Sequence, residues 1–356
     1  MSTYVIAEAG VNHNGSIDLA KQLVDIAVAA GADAVKFQTF RAESLVSRQA
    51  PKAAYQLETT FSGESQFDMI KRLELSEEAH DVLIQYCEAA GIQFLSTPFD
   101  PSSLRLLVER FQLPRIKLPS GEVTNAPLLL EAAQSGLPLI LSTGMSTLDE
   151  VEAALGVLAF GYLGLAGPPS VMAFREAFDS EDGKRALRKQ VTLLHCTTEY
   201  PTPFSDVNLR AMCTMRERFN LAVGFSDHTP GIVAPIAAAA LGATVIEKHF
   251  TLDRSLPGPD HQASLEPGEL TAMVSAIRQV EWAMGTGVKL PAESEKKNLA
   301  TVRKSLIAAR PVKKGEQFTS GNLTVKRPGT GASPFSYWDY LGKEASRDYA
   351  EDEVIE

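Results

Sequence analysis

Residues 241–249 read Leu-Gly-Ala-Thr-Val-Ile-Glu-Lys-His. The glycine at position 242 follows a helix-compatible run and precedes a short apolar segment, a pattern typical of a helix that ends, turns and continues as a buried strand. Residues 30–37, Ala-Gly-Ala-Asp-Ala-Val-Lys-Phe, repeat this arrangement near the other end of the chain. The sequence therefore contains a repeated unit of helix followed by strand.

Apolar segments of strand length alternate with segments of helical periodicity. The predicted strands are residues 4–8, 33–38, 92–97, 115–119, 138–142, 191–196, 221–226 and 244–249. Such alternation favours a parallel sheet with crossover helices. The intervening segments and residues 266–285 supply the helices, so the predicted fold class is α/β, a (β/α)8 TIM barrel.

Composition and targeting signals indicate a soluble cytoplasmic enzyme. The 356 residues are 44% hydrophobic and carry a net charge of -10, which argues against a nucleic-acid or anionic-membrane partner. Three cysteines without CxxC spacing predict neither disulfides nor a zinc knuckle. The chain enters its first strand without a basic region, so no export signal is predicted. The apolar stretch 232–246 is shorter than the roughly 20 residues that span a bilayer.

A change of composition after the last predicted helix indicates a second domain. We predict a barrel over residues 1–286, a linker over 287–304 and a small, mostly-β domain over 305–356. Two insertions, at 40–75 and 161–183, interrupt the barrel pattern. Long loops of this kind are often lids or interfaces, although a tolerated insertion fits equally well.

Ionisable residues end several predicted strands. In a TIM barrel these ends converge on one face, so His228 and His249, which close the last two strands, are placed to share a cation. The alternative is that each histidine caps its own strand by bonding to backbone. Lys36 and Lys117, beside Ser and Thr residues, predict a dianion site suited to phosphate. The absence of Walker-type and dinucleotide glycine motifs argues against a nucleotide cofactor.

Several motifs together resemble the sialic acid synthase family. They are Ala7-Glu8-Ala9-Gly10-Val11-Asn12-His13-Asn14-Gly15, Val35-Lys36-Phe37-Gln38-Thr39, Lys117-Leu118-Pro119-Ser120-Gly121-Glu122, Leu141-Ser142-Thr143-Gly144-Met145, His195-Cys196-Thr197, Ser226-Asp227-His228-Thr229 and Glu247-Lys248-His249-Phe250. The tail, with Val325-Lys326-Arg327-Pro328-Gly329, is similar to the antifreeze-like (SAF, β-clip) domain of these synthases. The resemblance covers essentially the whole chain.

The resemblance implies a transferase that joins phosphoenolpyruvate to the open-chain aldehyde of an N-acylated mannosamine-type sugar. The products would be N-acetylneuraminate, a nine-carbon 2-keto acid, and phosphate, with cleavage of the C–O bond of phosphoenolpyruvate. A divalent metal, Mn²⁺, Mg²⁺ or Co²⁺, would activate the aldehyde. The leading alternative within the family is an N,N'-diacetyllegionaminate synthase that uses 2,4-diacetamido-2,4,6-trideoxymannose.

Roles for individual residues follow from the same resemblance. Phosphoenolpyruvate would be held by Lys36, Lys117, Thr97, Ser120 and Ser142, with Gln38 beside them. The metal would be bound by His228 and His249, and protons would be moved, or water oriented, by Glu8 and Glu122. Tyr200 would close the phosphoenolpyruvate end, and Asp260 would bond sugar hydroxyls. In a homodimer that exchanges its C-terminal domains, Arg327 would reach the sugar of the partner barrel.

The sequence departs from the family pattern at some positions, and two other functional classes share part of the pattern. Thr198 stands where many relatives carry asparagine, and Pro119 replaces a small residue. Residues 53–56 and 64–66 resemble the neuraminate and legionaminate branch more than the pseudaminate branch. A barrel aldolase or another phosphoenolpyruvate aldol-type synthase, acting on a phosphorylated sugar, would share the lysines and the metal. An extra basic cluster for a second phosphate would favour that class, and the sequence shows none clearly. A non-catalytic sugar-binding barrel would need no paired histidines.

Overall fold

The computed structural model describes residues 2–52 and 63–356, so the branch signal at residues 53–56 lies outside the described residues. The chain divides into two compact units, residues 1–285 and 286–356. The helices of the first unit are Ile17–Ala29, Ala42–Leu45, Gln66–Arg72, Glu77–Ala90, Pro101–Arg105 with a π-helical continuation Leu106–Arg110, Ala126–Gln134, Leu148–Leu163, Val171–Asp179, Glu181–Gln190, Arg210–Phe219, Val233–Ala240 and Pro267–Met284.

An eight-stranded parallel sheet forms the centre of the first unit. Its strands are β1 (Tyr4–Gly10), β2 (Ala34–Thr39), β3 (Gln93–Pro98), β4 (Ile116–Leu118), β5 (Leu139–Ser142), β6 (Val191–Cys196), β7 (Ala222–Asp227) and β8 (Val245–His249). The order is β3-β2-β1-β8-β7-β6-β5-β4, and the end strands β3 and β4 also contact each other, so the sheet is nearly a closed barrel. The predicted (β/α)8 fold class is confirmed.

Two apolar layers hold this barrel together. Inside the sheet, one side chain from each of six strands contributes to a separate buried cluster: Ile6, Ala34, Leu95, Ile140, Leu194 and Val245. A larger cluster lies between the outer face of the sheet and the helices. Because side chains alternate along a strand, each strand serves both layers and its last inward residues reach the barrel mouth.

The second unit has its own small core. β9 (Ser305–Ala308) and β10 (Leu323–Lys326) pair antiparallel and pack with buried side chains that include Val312, Phe318 and Tyr349. Its helices are Glu293–Val302, which lies within the predicted linker range, and Tyr337–Tyr340. Across the described residues of both units, no helix combines the length and the apolar character needed to cross a membrane.

Candidate active site

A cavity of about 350 Å³ opens among the carboxyl ends of the strands. Most residues predicted for the site line it: Glu8, Lys36, Gln38, Thr97, Lys117, Ser120, Ser142, Tyr200, His228, His249 and Asp260. All eight strands, or the segments that follow them, contribute to this set, because a barrel brings distant strand ends to one face.

Lys36 is buried in the floor of this cavity. Its Nζ lies 2.6 Å from Glu8 Oε2 and donates a hydrogen bond of 2.7 Å to Thr97 Oγ1. The register of the sheet explains these contacts, since Glu8 on β1 is paired with Lys36 on β2, and Gln38 on β2 is paired with Thr97 on β3. Three neighbouring strands therefore fix the position of one ammonium group.

Glu247, to which the sequence analysis assigned no role, joins the two buried lysines. Its Oε1 lies 3.3 Å from Lys117 Nζ and its Oε2 lies 3.7 Å from Lys36 Nζ. Ser226 Oγ donates a further hydrogen bond of 2.8 Å to Glu247 Oε1. The sequence did contain a signal that could have identified Glu247 as a site residue. Glu247 precedes His249 by two positions on the same strand, so both side chains face the barrel mouth.

The two buried carboxylates differ in their affinity for protons. Burial raises the pKa of Glu8 to about 7, although the Lys36 ammonium opposes the increase. Burial also acts to raise the pKa of Glu247, but the ammonium groups of Lys117 and Lys36 hold it down to about 2. Glu247 is thus a permanent anion near neutral pH, whereas Glu8 is poised to exchange a proton there.

The two histidines lie side by side, with ring centroids 5.7 Å apart. Burial lowers the pKa of His228 to about 4 and lowers that of His249 well below its usual value, so both rings are neutral near pH 7. His228 Nδ1 lies 2.6 Å from the Thr197 carbonyl oxygen, which requires that Nδ1 carry the proton and leaves a lone pair on Nε2.

The donor atoms of this pair fit a divalent metal. His249 Nδ1 is buried without a hydrogen-bond partner among the described residues, and the backbone contact of His228 is the kind that orients a metal-binding imidazole. Within residues 2–52 and 63–356, no group of three or more His, Cys, Asp or Glu side chains is placed to hold a metal. The two imidazoles could supply two ligands to such a metal, and water or substrate oxygens could supply the others.

Hydroxyl and thiol groups form the opposite side of the cavity. Ser120 Oγ accepts a hydrogen bond of 2.9 Å from the Gly144 amide and lies 3.0 Å from Cys196 Sγ. Ser142 Oγ is buried, and no described residue bonds to it. A buried hydroxyl without a partner, in a cavity that Lys117 also lines, is suited to an anionic ligand, because such a group is costly to leave unpaired.

Tyr200 and Asp260 border the histidine pair. The Tyr200 ring centroid lies 4.1 Å from that of His228 and 5.8 Å from that of His249. Asp260 Oδ2 lies 4.0 Å from His249 Nδ1, and burial raises the pKa of Asp260 to about 6. These side chains enclose the space above the imidazoles.

Two predicted site residues do not line this cavity. Glu122 lies in the short 3-10 turn Ser120–Glu122, where its Oε2 accepts a hydrogen bond of 2.6 Å from Asn125 Nδ2. The neighbouring Gly121 contributes to the lining instead. Arg327 is an exposed residue of the second unit, immediately after β10. The roles predicted for both remain predictions.

Known proteins provide independent comparisons. Residues 23–289 match the NeuB family and residues 303–356 match the SAF domain. The chain is 51% identical over 353 residues to the N,N'-diacetyllegionaminic acid synthase of Campylobacter jejuni, covering 99% of this chain and 98% of that protein. It is 44% identical to the synthase of the same name from Legionella pneumophila, covering 97% and 91% of the two chains.

A solved structure agrees with both the fold and the family. The N-acetylneuraminic acid synthetase of Leptospira borgpetersenii, crystallised with citrate, superposes with a TM-score of 0.66 at 31% identity, covering 84% of this chain and 90% of that one. The family match spans most of the barrel, and the full-length relatives also include the C-terminal domain. The chain is therefore a member of the NeuB family that carries a C-terminal SAF domain.

Proposed function

We propose that this protein condenses phosphoenolpyruvate with the open-chain aldehyde of an N-acylated mannosamine-type sugar, releasing phosphate and a nine-carbon 2-keto acid. The observation that carries the proposal is one cavity lined by both Lys36, Lys117 and Ser142, which suit an anion, and a pair of neutral histidines, which suits an uncharged oxygen. The names of the two legionaminic acid synthases favour 2,4-diacetamido-2,4,6-trideoxymannose as the acceptor.

The proposed reaction forms one C–C bond and breaks one C–O bond. C3 of phosphoenolpyruvate attacks the aldehyde carbon, whose oxygen takes up a proton, and water then adds to the cationic C2. The resulting tetrahedral adduct loses phosphate together with the bridging oxygen, leaving the 2-keto group. A divalent ion, Mn²⁺, Mg²⁺ or Co²⁺, held by His228 and His249 would polarise the aldehyde oxygen.

The chain's own groups have matching tasks. Lys36 and Lys117 hold the phosphate and carboxylate of phosphoenolpyruvate, and Thr97, Ser120 and Ser142 donate hydrogen bonds to them. Glu8 transfers a proton near neutral pH, since burial brings its pKa to about 7. Gln38 lies beside the groups that hold phosphoenolpyruvate, Tyr200 closes that end of the cavity, and Asp260 bonds the hydroxyls of the acceptor. Glu122 acts on the attacking water after its side chain turns away from Asn125.

The test is a coupled assay for phosphate release and 2-keto acid with purified protein, each metal, and three acceptors: N-acetylmannosamine, its 6-phosphate and 2,4-diacetamido-2,4,6-trideoxymannose. We expect one equivalent of phosphate for each keto acid formed. Oxygen-18 in the bridging position of phosphoenolpyruvate should appear in phosphate. No turnover with any acceptor, or label retained in the keto acid, would contradict the proposal.

We further propose that the active enzyme is a homodimer in which Arg327 of each chain serves the barrel of the other. A mixed dimer of one Glu122→Gln chain and one Arg327→Ala chain tests this. With exchange, the Arg327→Ala chain has an intact barrel and receives an intact arginine, so activity returns with normal sugar affinity. A verified heterodimer that remains inactive would contradict the exchange.

A further inference from the structure

One sector of the active-site cavity is apolar. Its lining consists of Phe40, Leu45, Met69, Ile70, Leu73 and Phe99, which we define as the apolar wall. These residues come from the segment after β2, from the helix Gln66–Arg72 and from the residue after β3. They form part of a cluster separate from the main barrel core. The wall is therefore an addition to the barrel mouth and is not needed to close the barrel.

The apolar wall is firmly packed. Phe40, Met69 and Leu73 are buried, while Leu45, Ile70 and Phe99 are half-buried and pack against them. The rings of Phe40 and Phe99 meet edge to face with centroids 6.1 Å apart. A surface built in this way provides dispersion contacts and no hydrogen-bonding side chain to a ligand.

Two cations of the helix that carries the wall, Lys71 and Arg72, are engaged in ion pairs. Lys71 lies 3.0 Å from a carboxylate oxygen of Glu43 and 3.0 Å from one of Glu74, and Arg72 lies 2.7 Å from Glu64 Oε1. Among the described residues that line the cavity, the only cationic side chains are Lys36 and Lys117. Both belong to the phosphoenolpyruvate side, so the described lining of this chain's own barrel offers no further cation to a second phosphate.

We infer that the apolar wall selects an acceptor whose far end is a methyl group and not a hydroxymethyl or phosphomethyl group. This inference rests on the proposed condensation, which holds the aldehyde at the histidines and so directs the rest of the sugar toward the remaining lining. A C6 hydroxyl against the wall would lose its water partners and gain none, whereas a C6 methyl would be buried favourably.

The experiment compares two acceptors that differ only at C6, 2,4-diacetamido-2,4,6-trideoxymannose and 2,4-diacetamido-2,4-dideoxymannose. We expect wild-type kcat/KM to favour the 6-deoxy sugar by about 10- to 100-fold, the range over which an apolar pocket discriminates against an added hydroxyl. N-acetylmannosamine 6-phosphate should be a poorer acceptor than N-acetylmannosamine. The ratio of the two kcat/KM values is measured within one enzyme preparation, so it does not depend on the fraction of enzyme molecules that are active.

Two variants localise the effect to the wall. Ile70→Asn and Leu45→Asn place an amide on half-buried wall positions, and each should reduce the preference to within about 3-fold while the KM for phosphoenolpyruvate stays unchanged. Ile84→Asn is the matched control, because Ile84 is also half-buried but lies in the helix Glu77–Ala90 and does not line the cavity. The Ile84→Asn variant should show the same ratio of kcat/KM values for the two sugars as the wild type.

The outcomes separate this inference from the proposed function. No phosphate release with any acceptor would refute the condensation itself. The wild-type enzyme could instead be active with equal kcat/KM for the two matched sugars, or with a preference for the hydroxylated sugar. Either result would overturn the role of the apolar wall and leave the proposed condensation intact. An unchanged ratio in both folded wall variants would overturn it as well.

Discussion

Lys248 and Asp227 form an ion pair that is fully buried between the two strands carrying the histidines. Lys248 Nζ lies 2.5 Å from Asp227 Oδ2, and neither side chain has any solvent exposure. The two residues are direct partners in the β7–β8 register, each immediately preceding a histidine of the pair. Because side chains alternate along a strand, this ion pair lies on the opposite face of the sheet from Glu247 and His249.

Breaking this ion pair should destabilise the protein strongly. Lys248→Met leaves the Asp227 carboxylate buried without its cation, and such a loss lowers the free energy of unfolding by about 3–5 kcal/mol. The double variant Lys248→Met with Asp227→Leu should recover much of that loss, since an apolar pair needs no compensating charge. Urea denaturation of the wild type and of both variants measures these changes in the free energy of unfolding. A double variant no more stable than the single one would contradict this account.

Lys117→Met should weaken phosphoenolpyruvate binding. Burial lowers the pKa of Lys117, yet its Nζ still lies 3.3 Å from Glu247 Oε1, and the unpaired hydroxyl of Ser142 lines the same cavity. We expect the KM for phosphoenolpyruvate to rise by about 10- to 100-fold, since one charge-assisted contact contributes about 1.5–3 kcal/mol. Steady-state kinetics with the exposed Lys189→Met as control provide the measurement. An equal rise in both KM values would point to general misfolding.

Removing divalent metal should abolish turnover. Lewis-acid stabilisation of a developing alkoxide is worth several kcal/mol, so activity after dialysis against EDTA should fall by more than about 1000-fold. Mn²⁺, Co²⁺ or Mg²⁺ should restore it in the wild type, and none should restore His249→Ala. Full activity in EDTA would exclude the assignment of His228 and His249 as metal ligands.

Gly144→Ala should impair the anion side of the cavity for steric reasons. A methyl group at Gly144 would lie 2.4 Å from Thr198 Oγ1, 2.9 Å from Ser120 Oγ and 3.0 Å from Cys196 Sγ. We expect kcat/KM for phosphoenolpyruvate to fall by at least about 10-fold, because small displacements of binding groups are costly. Thr198→Ala in the same chain should restore part of the loss. Gly268→Ala is the control, since Gly268 lies in the helix Pro267–Met284 away from the cavity lining and nothing lies within 4 Å of its added methyl.

His13 should make stability depend on pH on the acidic side. Burial lowers its pKa to about 4 in the folded protein, compared with about 6.5 in an unfolded chain. Between these values the unfolded state binds the extra proton, so stability falls as pH decreases, by up to about 1.4 kcal/mol per unit. His13→Asn, whose side-chain oxygen can replace Nδ1 as acceptor for the Gly15 amide, should remove this part of the slope.

Denaturation midpoints of wild type and His13→Asn at pH 7.5 and pH 5 give the comparison. Taking the difference between the two proteins cancels the contributions of other titrating groups such as Asp260. Parallel pH curves for the two proteins would show that His13 does not titrate as its burial requires.

The sequence by itself determined the barrel, its strands and most of the cavity lining. Strand segments are local features, because apolar runs bounded by glycine and polar turns specify them within a few residues. A regular barrel then places the carboxyl end of every strand on one face. For this reason the sequence alone predicts that Lys36, Lys117, His228 and His249 lie in one site. The mostly-β character of residues 305–356 was recognisable for the same local reason, and the strands β9 and β10 of that domain pair antiparallel.

Tertiary structure alone decided the distances and protonation states. Glu247 lies between Lys36 and Lys117 only because β8 neighbours β1 in the closed sheet, and its low pKa depends on those two charges. The turn that carries Glu122 directs that side chain to Asn125, which no strand pattern predicts. The apolar wall likewise requires an insertion to fold back over the barrel mouth. Burial and electrostatics arise from contacts between segments distant in sequence, so they become visible only when those segments are packed together.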